Sequence, residues 1–504
     1  MESSLLWVVL TVLFGGLVAF YGLLKNVNFW LYESKLGEKR FNLPPGDMGW
    51  PLIGNMWTFL GAFKSNEPDS FFASYYKKFG RSPGVYKAFM FGNPSIMVTA
   101  PEPAKQVLMD DENFGTGWPK STLELIGKKS FIGISDEEHR RLRKLTAAPV
   151  NGHEALSIYM KFIGKTAVST LDKWSKMGEI EFLTELRRFT FRIIMHIFLS
   201  CEDEQVLEAL EKEYTALNYG VRAMTINVPG FAYHRALKAR KNLVATFQST
   251  VTERRQRKAA GIVAPTNKRK DLMDNLLEVK DEKGKELSDE EIIDVLLMYL
   301  NAGHESSGHI TMWATLFLQH HPEVFKKAKA EQEEVVKNRL ADPNELTLRE
   351  LRQMDYLGKV VDETLRIINI SLVVFREARK DMNLSGYLVP KGWKVLIWFR
   401  TVNLDPEIYP NPKEFNPSRW DNYIPKPGTF LPFGAGARLC PGNDLAKLEI
   451  MIFLHHFLLN YKLEQLNPGC SLKYLPHTRP MDNCRARIKK VSSIDLNSLT
   501  QDVH

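Results

Sequence analysis

Residues 301–309 read NAGHESSGH, an unusual concentration of reactive groups within a long helical pattern. Glu305 and Ser306 set a carboxylate beside a hydroxyl, a pair able to hand protons to a reactant. His304 and His309 flank them as candidate metal ligands. Their spacing argues against zinc. Ligands of the H-E-x-x-H type stand four apart on one helical face, whereas these stand five apart and are rotated away from each other. A polar stripe on an amphipathic helix stays open as the plain alternative.

A second group lies near the C-terminus: FGAGARLCPG, from Phe433 to Gly442. A cysteine holds a haem iron as a thiolate only if its loop comes close beneath a flat macrocycle. Glycines at 434, 436 and 442 remove side chains that would collide with it. Backbone N–H groups and the start of the following helix, NDLAKLEIMIFLHHFLL, can keep the sulfur anionic. Phe433 can shield it from water, and Arg438 can pair with a propionate. A lone cysteine at a helix start is ordinarily a small buried hydrophobe. Here Phe433, Gly436, Arg438, Cys440 and Gly442 fit one template together. The remaining cysteines, Cys201, Cys470 and Cys484, form no CxxC pattern and no disulfide framework, which points to a reducing compartment.

The pattern F-x-x-G-x-R-x-C-x-G resembles the haem-binding signature of the cytochrome P-450 superfamily, the haem-thiolate monooxygenases. Two further stretches fall in that family's order. Glu363-x-x-Arg366 looks like its buried E-x-x-R pair, and FNPSRW (415–420) supplies Arg419 as third member of the network. The resemblance implies haem b with Cys440 as axial ligand, and electrons from NADPH delivered by a cytochrome P-450 reductase. It also implies roles for the opening stretch. Gly303 would let the distal helix loosen beside the iron, and Glu305 with Ser306 would relay protons to dioxygen. Ser306 stands where threonine is commoner, and the prolines usual after E-x-x-R are missing. DEEHRRLRK resembles the helix that offers a tryptophan and an arginine to the propionates; His139 takes the tryptophan's place and Arg143 keeps the arginine's. Arg376 matches another propionate contact. Arg140, Arg141, Lys144 and Lys447 are the basic residues expected to meet an acidic reductase.

Within the superfamily the resemblance runs to the plant ent-kaurenoic acid oxidase group, carried by PPGDMGWPLIGN, AAPVNGHEALS, NYGVRAM, NAGHESSGH and LCPGNDLAKLEI. It implies stepwise oxidation of a terpenoid at C7, in gibberellin biosynthesis. Related plant enzymes oxidise triterpenoids, and Ile367–Val374 departs from the diterpenoid version. A pocket for a rigid apolar acid is expected from Phe114, Leu125, Ile126, Leu217, Ala302, Ile370 and Leu372, with Arg222 or Lys128 meeting the carboxylate. Two other classes use similar parts. A haem-thiolate isomerase or dehydratase needs no proton relay, and a haem sensor or carrier needs no reductase surface.

Positioning these groups requires long helices. Ser288 and Glu291 form an S-x-x-E capping box, and Pro322 supplies a stop, so the 301–309 stretch sits inside one helix about 50 Å long that crosses the core. EPAKQVLMD, VLEALEKEYTALNYGV, HPEVFKKAKAEQEEVVKNRL and LGKVVDETLRII also show helical periodicity. Strand patterns are fewer: SPGVYKAFMFG, PSIMVTA and LSGYLVPKGWKVLIWF. The basic stretch 254–271 is expected to be a solvated loop. A mainly α domain with a minor β-sheet follows, and the resemblance makes it a cytochrome P-450 fold.

The 504 residues carry a net charge of +8 and are 44% hydrophobic. This balance suits an acidic partner or an anionic membrane surface, and no aromatic-interleaved basic run speaks for nucleic acid. Residues 5–24 form an uncharged apolar run long enough to cross a bilayer, followed by Lys25, Lys35, Lys39 and Arg40. The expected organisation is a short lumenal N-terminus (1–4), a transmembrane anchor (5–24), and a linker with a Pro/Gly-rich hinge (25–55). A cytosolic haem-binding domain (56–490) and a tail (491–504) complete it, on a single-pass protein of the endoplasmic reticulum. NVPGFAYH (227–234) is a candidate second membrane contact.

Overall fold

The structure, a computed structural model, describes residues 2–261, 270–339 and 346–491. Its organising element is the helix Asp289–His320. The Glu291 N–H donates to Ser288 Oγ over 3.2 Å and the Ser288 N–H to the Glu291 carboxylate over 2.8 Å, closing the capping box. This central helix packs against Phe182–Leu199, Asp355–Ile367 and Asn443–Asn460. Its apolar side chains point in nearly every direction into one core: Ile292, Leu296, Leu300, Met312 and Leu316 are all buried. Thr190 ties the helix sideways by donating its hydroxyl to the His304 carbonyl, 2.6 Å away. The other helical patterns appear as Pro101–Met109, Glu204–Val221, Pro322–Lys337 and Asp355–Ile367.

The strand patterns assemble into a five-stranded sheet. Its spatial order is Val85–Met90, Asn93–Val98, Lys394–Trp398, Val373–Ala378 and Phe114–Thr116. Only the Asn93–Val98 and Lys394–Trp398 pair is parallel. Arg376 faces Thr116 across one edge of this sheet, which is how a strand residue reaches the cysteine loop.

The basic stretch differs from expectation. Residues 254–259 continue the helix Ala232–Ala259, because their guanidiniums find acids instead of water. Arg254 binds Asp271 at 2.5 Å and Asp274 at 2.8 Å, and Arg255 binds Asp289 at 2.8 Å. Residues 262–269, and the tail beyond 491, lie outside the described residues.

At the N-terminus the helix Glu2–Asn28 contains the apolar run, and this region is long and apolar enough to cross a membrane. Helical turns continue through Asn42 with a kink at Gly37, so part of the expected linker is helical. The following Pro/Gly segment docks on the sheet. The Lys87 N–H donates to the Pro45 carbonyl over 3.0 Å, and Lys87 Nζ meets the buried Glu33 at 2.6 Å. Asn28 donates to the carbonyls of Met48 and Trp50 at 2.9 and 2.8 Å.

Candidate active site

The cysteine loop is held by its own backbone. The Cys440 N–H donates to the Phe433 carbonyl over 2.9 Å, and the Leu439 N–H to Gly436 over 3.1 Å. Gly436 adopts φ of +73°, and a Cβ there would lie 2.2 Å from the Leu108 carbonyl oxygen. This glycine therefore lets the loop press on the helix Pro101–Met109; the protein itself, rather than a macrocycle, demands it. A Cβ on Gly442 would meet open space. Asn151 donates to the Pro441 carbonyl and so fixes the far side of the loop. Burial pushes the Cys440 thiol above its ordinary pKa, while the Gly442 N–H and the Arg143 guanidinium pull it back. A metal is what such a sulfur needs to stay a thiolate.

Beside the loop stands a cluster of guanidiniums. Arg376, buried, meets Asp111 at 2.8 Å; Arg438 meets Asp136 at 2.7 Å and donates to the Phe131 carbonyl at 3.0 Å. Arg379 also pairs with Asp136. Arg143 stands over the Phe131 ring, 5.9 Å from its centroid, with no ion pair among the described residues. Among the acids of the described residues, Arg143, Arg376, Arg379 and Arg438 thus face only Asp111 and Asp136, and the Nε atoms of Arg376 and Arg438 are buried without a hydrogen-bond partner. Surplus positive charge and orphaned donors next to a cysteine fit a haem with its two propionates. His139 is buried between these groups. Burial, then Arg438 and Arg143, lower its pKa to about 4, so it is a neutral imidazole.

The central helix is buried at Leu300 and His304 but exposed at Ala302. Glu305 and Ser306 lie on the same helical face. Ser306 donates its hydroxyl back to the Ala302 carbonyl at 2.7 Å. Glu305 lies between Arg187 Nη2, 3.4 Å away, and Arg222 Nη1, 3.3 Å away. Burial opposes its ionisation, but the two guanidiniums outweigh burial and hold the carboxyl well below the usual range. His304 and His309 bond the carbonyls of Leu300 and Glu305 at 3.3 and 2.7 Å. Burial drives their pKa values down to about 4 and about 3, so both stay neutral.

Several expectations need correction. The helix is continuous through Gly303 and does not loosen there. The glycine instead faces Ile194, whose Cδ1 lies 2.8 Å from where a Cβ would sit, so it sets the approach of the neighbouring helix. Phe114, Leu125 and Leu217 have no accessible surface and Ile126 only 3%, so protein atoms surround them and they do not line open space. Ala302, Ile370 and Leu372 retain surface. Arg222 meets Glu305 at 3.3 Å yet keeps accessible surface, as does Lys128, so both expected cations stay open to a carboxylate. Arg141 is not free for a partner, since Asp281 and Glu291 hold it at 2.7 and 2.9 Å.

Glu363, Arg366 and Arg419 do meet. Arg366 forms a bidentate pair with Glu363, both bonds 2.8 Å, and Arg419 Nε reaches the same carboxylate at 3.3 Å. Trp420 Nε1 and the Asn416 N–H, each 3.1 Å away, complete its shell. Arg366 also donates to the carbonyls of Asn403, Pro412 and Glu414, binding the segment that leads into the cysteine loop. Two participants are invisible in the sequence. Arg187 looks like a surface charge on its helix, and His477 comes from the C-terminal hairpin region; only folding brings them to Glu305.

Buried guanidinium donors left without hydrogen-bond partners near a cysteine thiol are what a haem-thiolate oxygenase requires. The chain belongs to the cytochrome P-450 family, whose model matches residues 44–476. It is accordingly a monooxygenase with a thiolate-ligated haem and electrons supplied through a reductase. It is 63% identical to ent-kaurenoic acid oxidase 2 of Arabidopsis thaliana, over 96% of this chain and 98% of that one. It is 51% identical to 7,8-epoxymelianol synthase of Ailanthus altissima, over 97% and 98%. Among solved structures, the retinoic acid-bound cyanobacterial CYP120A1 superposes with a TM-score of 0.79 at 28% identity, covering 89% of this chain and 99% of that one.

Proposed function

We propose that this enzyme oxidises ent-kaurenoic acid at C7 in successive rounds, ending in ring contraction, as a step of gibberellin biosynthesis at the endoplasmic reticulum. The observation that supports it most is the likeness to ent-kaurenoic acid oxidase over nearly the whole chain. Cys440 is the proposed axial ligand; Arg143, His139, Arg376 and Arg438 would hold the propionates. When bound, the haem supplies the power to insert one atom of dioxygen into a C–H bond. Ser306 holds a proton on the open face of the central helix, where turning the hydroxyl away from the Ala302 carbonyl would present it to the reacting centre. Glu305, clamped by two guanidiniums, is a carboxylate and has no proton to give until that grip relaxes.

The body would sit on the membrane through its anchor helix and a second apolar surface. Met224, Val228 and Phe231, on the connection before the helix Ala232–Ala259, are exposed, as are Phe41, Leu52 and Trp57 near the anchor. Arg140 would meet the reductase as an exposed cation, while Lys144 is exposed but paired with Glu282 and Lys447 is half-exposed beside Asp362.

Membranes carrying the protein, with reductase and NADPH, are expected to convert ent-kaurenoic acid to 7-hydroxylated and ring-contracted products. Absence of both a spectral shift and a product would transfer the same chemistry to a triterpenoid substrate. In the same assay Ser306→Ala should bind substrate normally yet release much of its NADPH as peroxide.

A further inference from the structure

Arg222 is the first residue beyond the helix Glu204–Val221, and three elements converge on it. Its Nη1 donates to Asn218 Oδ1 at 2.8 Å and to Glu305 at 3.3 Å, and its Nη2 meets His477 Nε2 at 2.7 Å. His477 Nδ1 faces the Ile370 carbonyl at 2.9 Å and must carry the proton there, so Nε2 accepts from Arg222. The short His477–Glu305 separation of 3.6 Å is then no ion pair; Arg222 keeps two lone pairs apart.

Three features mark this guanidinium as unfinished. Arg187 and Arg222 share one carboxylate while His477 and His309 are neutral, and Arg479 also lies within electrostatic reach of Glu305, which leaves positive charge in excess. Both contacts to Glu305, at 3.3 and 3.4 Å, are long for charge-assisted bonds, whereas Arg240–Asp294 in the same protein closes to 2.6 Å. Arg222 also leaves its Nε–H and one Nη2–H without a partner among the described residues, and its side chain stays 28% exposed against 12% for Glu305. An arginine with N–H donors left over and surface to spare receives a carboxylate through charge-assisted hydrogen bonds.

We propose that Arg222 is an exchange residue: a terpenoid carboxylate docks on its unused N–H groups and loosens its hold on Glu305, leaving that acid to Arg187. Asn218 and His477 keep the guanidinium in place during the exchange. A seated acid thus frees the proton relay, whereas a neutral terpenoid of the same shape leaves Glu305 clamped. This rests on the substrate reading above and adds the residue that selects for the acid.

The test is substrate-induced spectral titration of the haem-loaded protein with ent-kaurenoic acid and with its methyl ester. The wild type should bind the acid roughly tenfold or more tighter than the ester, the value of a hydrogen-bonded charge. Arg222→Gln should abolish that preference while ester affinity stays unchanged, and Arg222→Lys should retain part of it. Glu305→Gln, which removes the competitor, should tighten acid binding but not ester binding, and should do nothing in the Arg222→Gln background. Should Arg222→Gln not load haem, the Lys and Glu305→Gln variants carry the same comparison. Equal loss of acid and ester affinity in Arg222→Gln, or no tightening in Glu305→Gln, overturns the exchange alone. No wild-type response to either compound overturns the substrate reading and the exchange with it.

Discussion

Glu363 accepts hydrogen bonds from two arginines, a tryptophan and a backbone amide, and neither it nor Arg366 has accessible surface. Removing one partner of such a set leaves a buried charge uncompensated, which costs about 3–5 kcal/mol. Glu363→Ala is therefore expected to lower the yield of haem-loaded protein sharply, as read by denaturant unfolding and the Soret absorbance. Cys440→Ser is expected to abolish the strongly red-shifted carbon-monoxide difference band, while replacing Cys201, Cys470 or Cys484 should leave it intact; a retained band in Cys440→Ser would remove this residue from the iron. Cys440, Arg438 and Glu363 are readable in the sequence because each stands in a motif of fixed spacing, although the Asp136 that meets Arg438 is far away in the chain. The substrate contacts are not. Phe114, Leu125 and Leu217 suit an apolar pocket by type, yet residue type does not say whether an apolar side chain meets a cavity or another side chain.

At the scale of elements, capping chemistry is local and the central helix is bounded correctly from Ser288 and Pro322 alone. The end of the helix Ala232–Ala259 is misread because its arginines bond acids on other elements, which local charge density does not reveal. The cysteine loop offers a sharper test of how elements cooperate. Gly436 joins a left-handed backbone to close contact with the Leu108 carbonyl, so any side chain there strains both. Gly436→Ala should cost about 1–3 kcal/mol from backbone conformation, plus the collision. It should appear as lowered thermal stability and weakened haem retention. Gly303→Ala asks only a methyl of Ile194 to move, so its effect should be much smaller.

For the molecule as a whole, buried histidines set the response to acid. His139, His304, His309, His455 and His477 are all buried and neutral, with pKa values lowered by burial to about 4, 4, 3 and 3 for the first four and well below normal for the last. An unfolded histidine titrates near 6.5, so below that pH the unfolded chain binds more protons and stability falls as pH falls. Each site contributes at most about 1.4 kcal/mol per pH unit. Glu449 works the other way, since burial raises its pKa to about 8 and its stabilisation is lost as pH rises. His196 and His456 are lowered in the same way, whereas Glu211, Asp274 and Glu331 are raised with Glu449, so between pH 6.5 and 5 the more numerous histidines set the net sign. Calorimetric melting temperatures should drop from pH 6.5 to 5, and more steeply in Glu449→Gln; a flat profile in that variant would show that these histidines are protonated in the folded protein.

The grip of Asn28 on the Met48 and Trp50 carbonyls, with the Tyr21 ring 5.0 Å from that of Trp50, makes the anchor an axle instead of a tether. The body therefore keeps one angle to that helix and swings with it as a single lever. With residues 5–24 in a bilayer, any tilt of the helix would be passed on to the body undiminished, so helix tilt would set the height of the cysteine loop above the lipid.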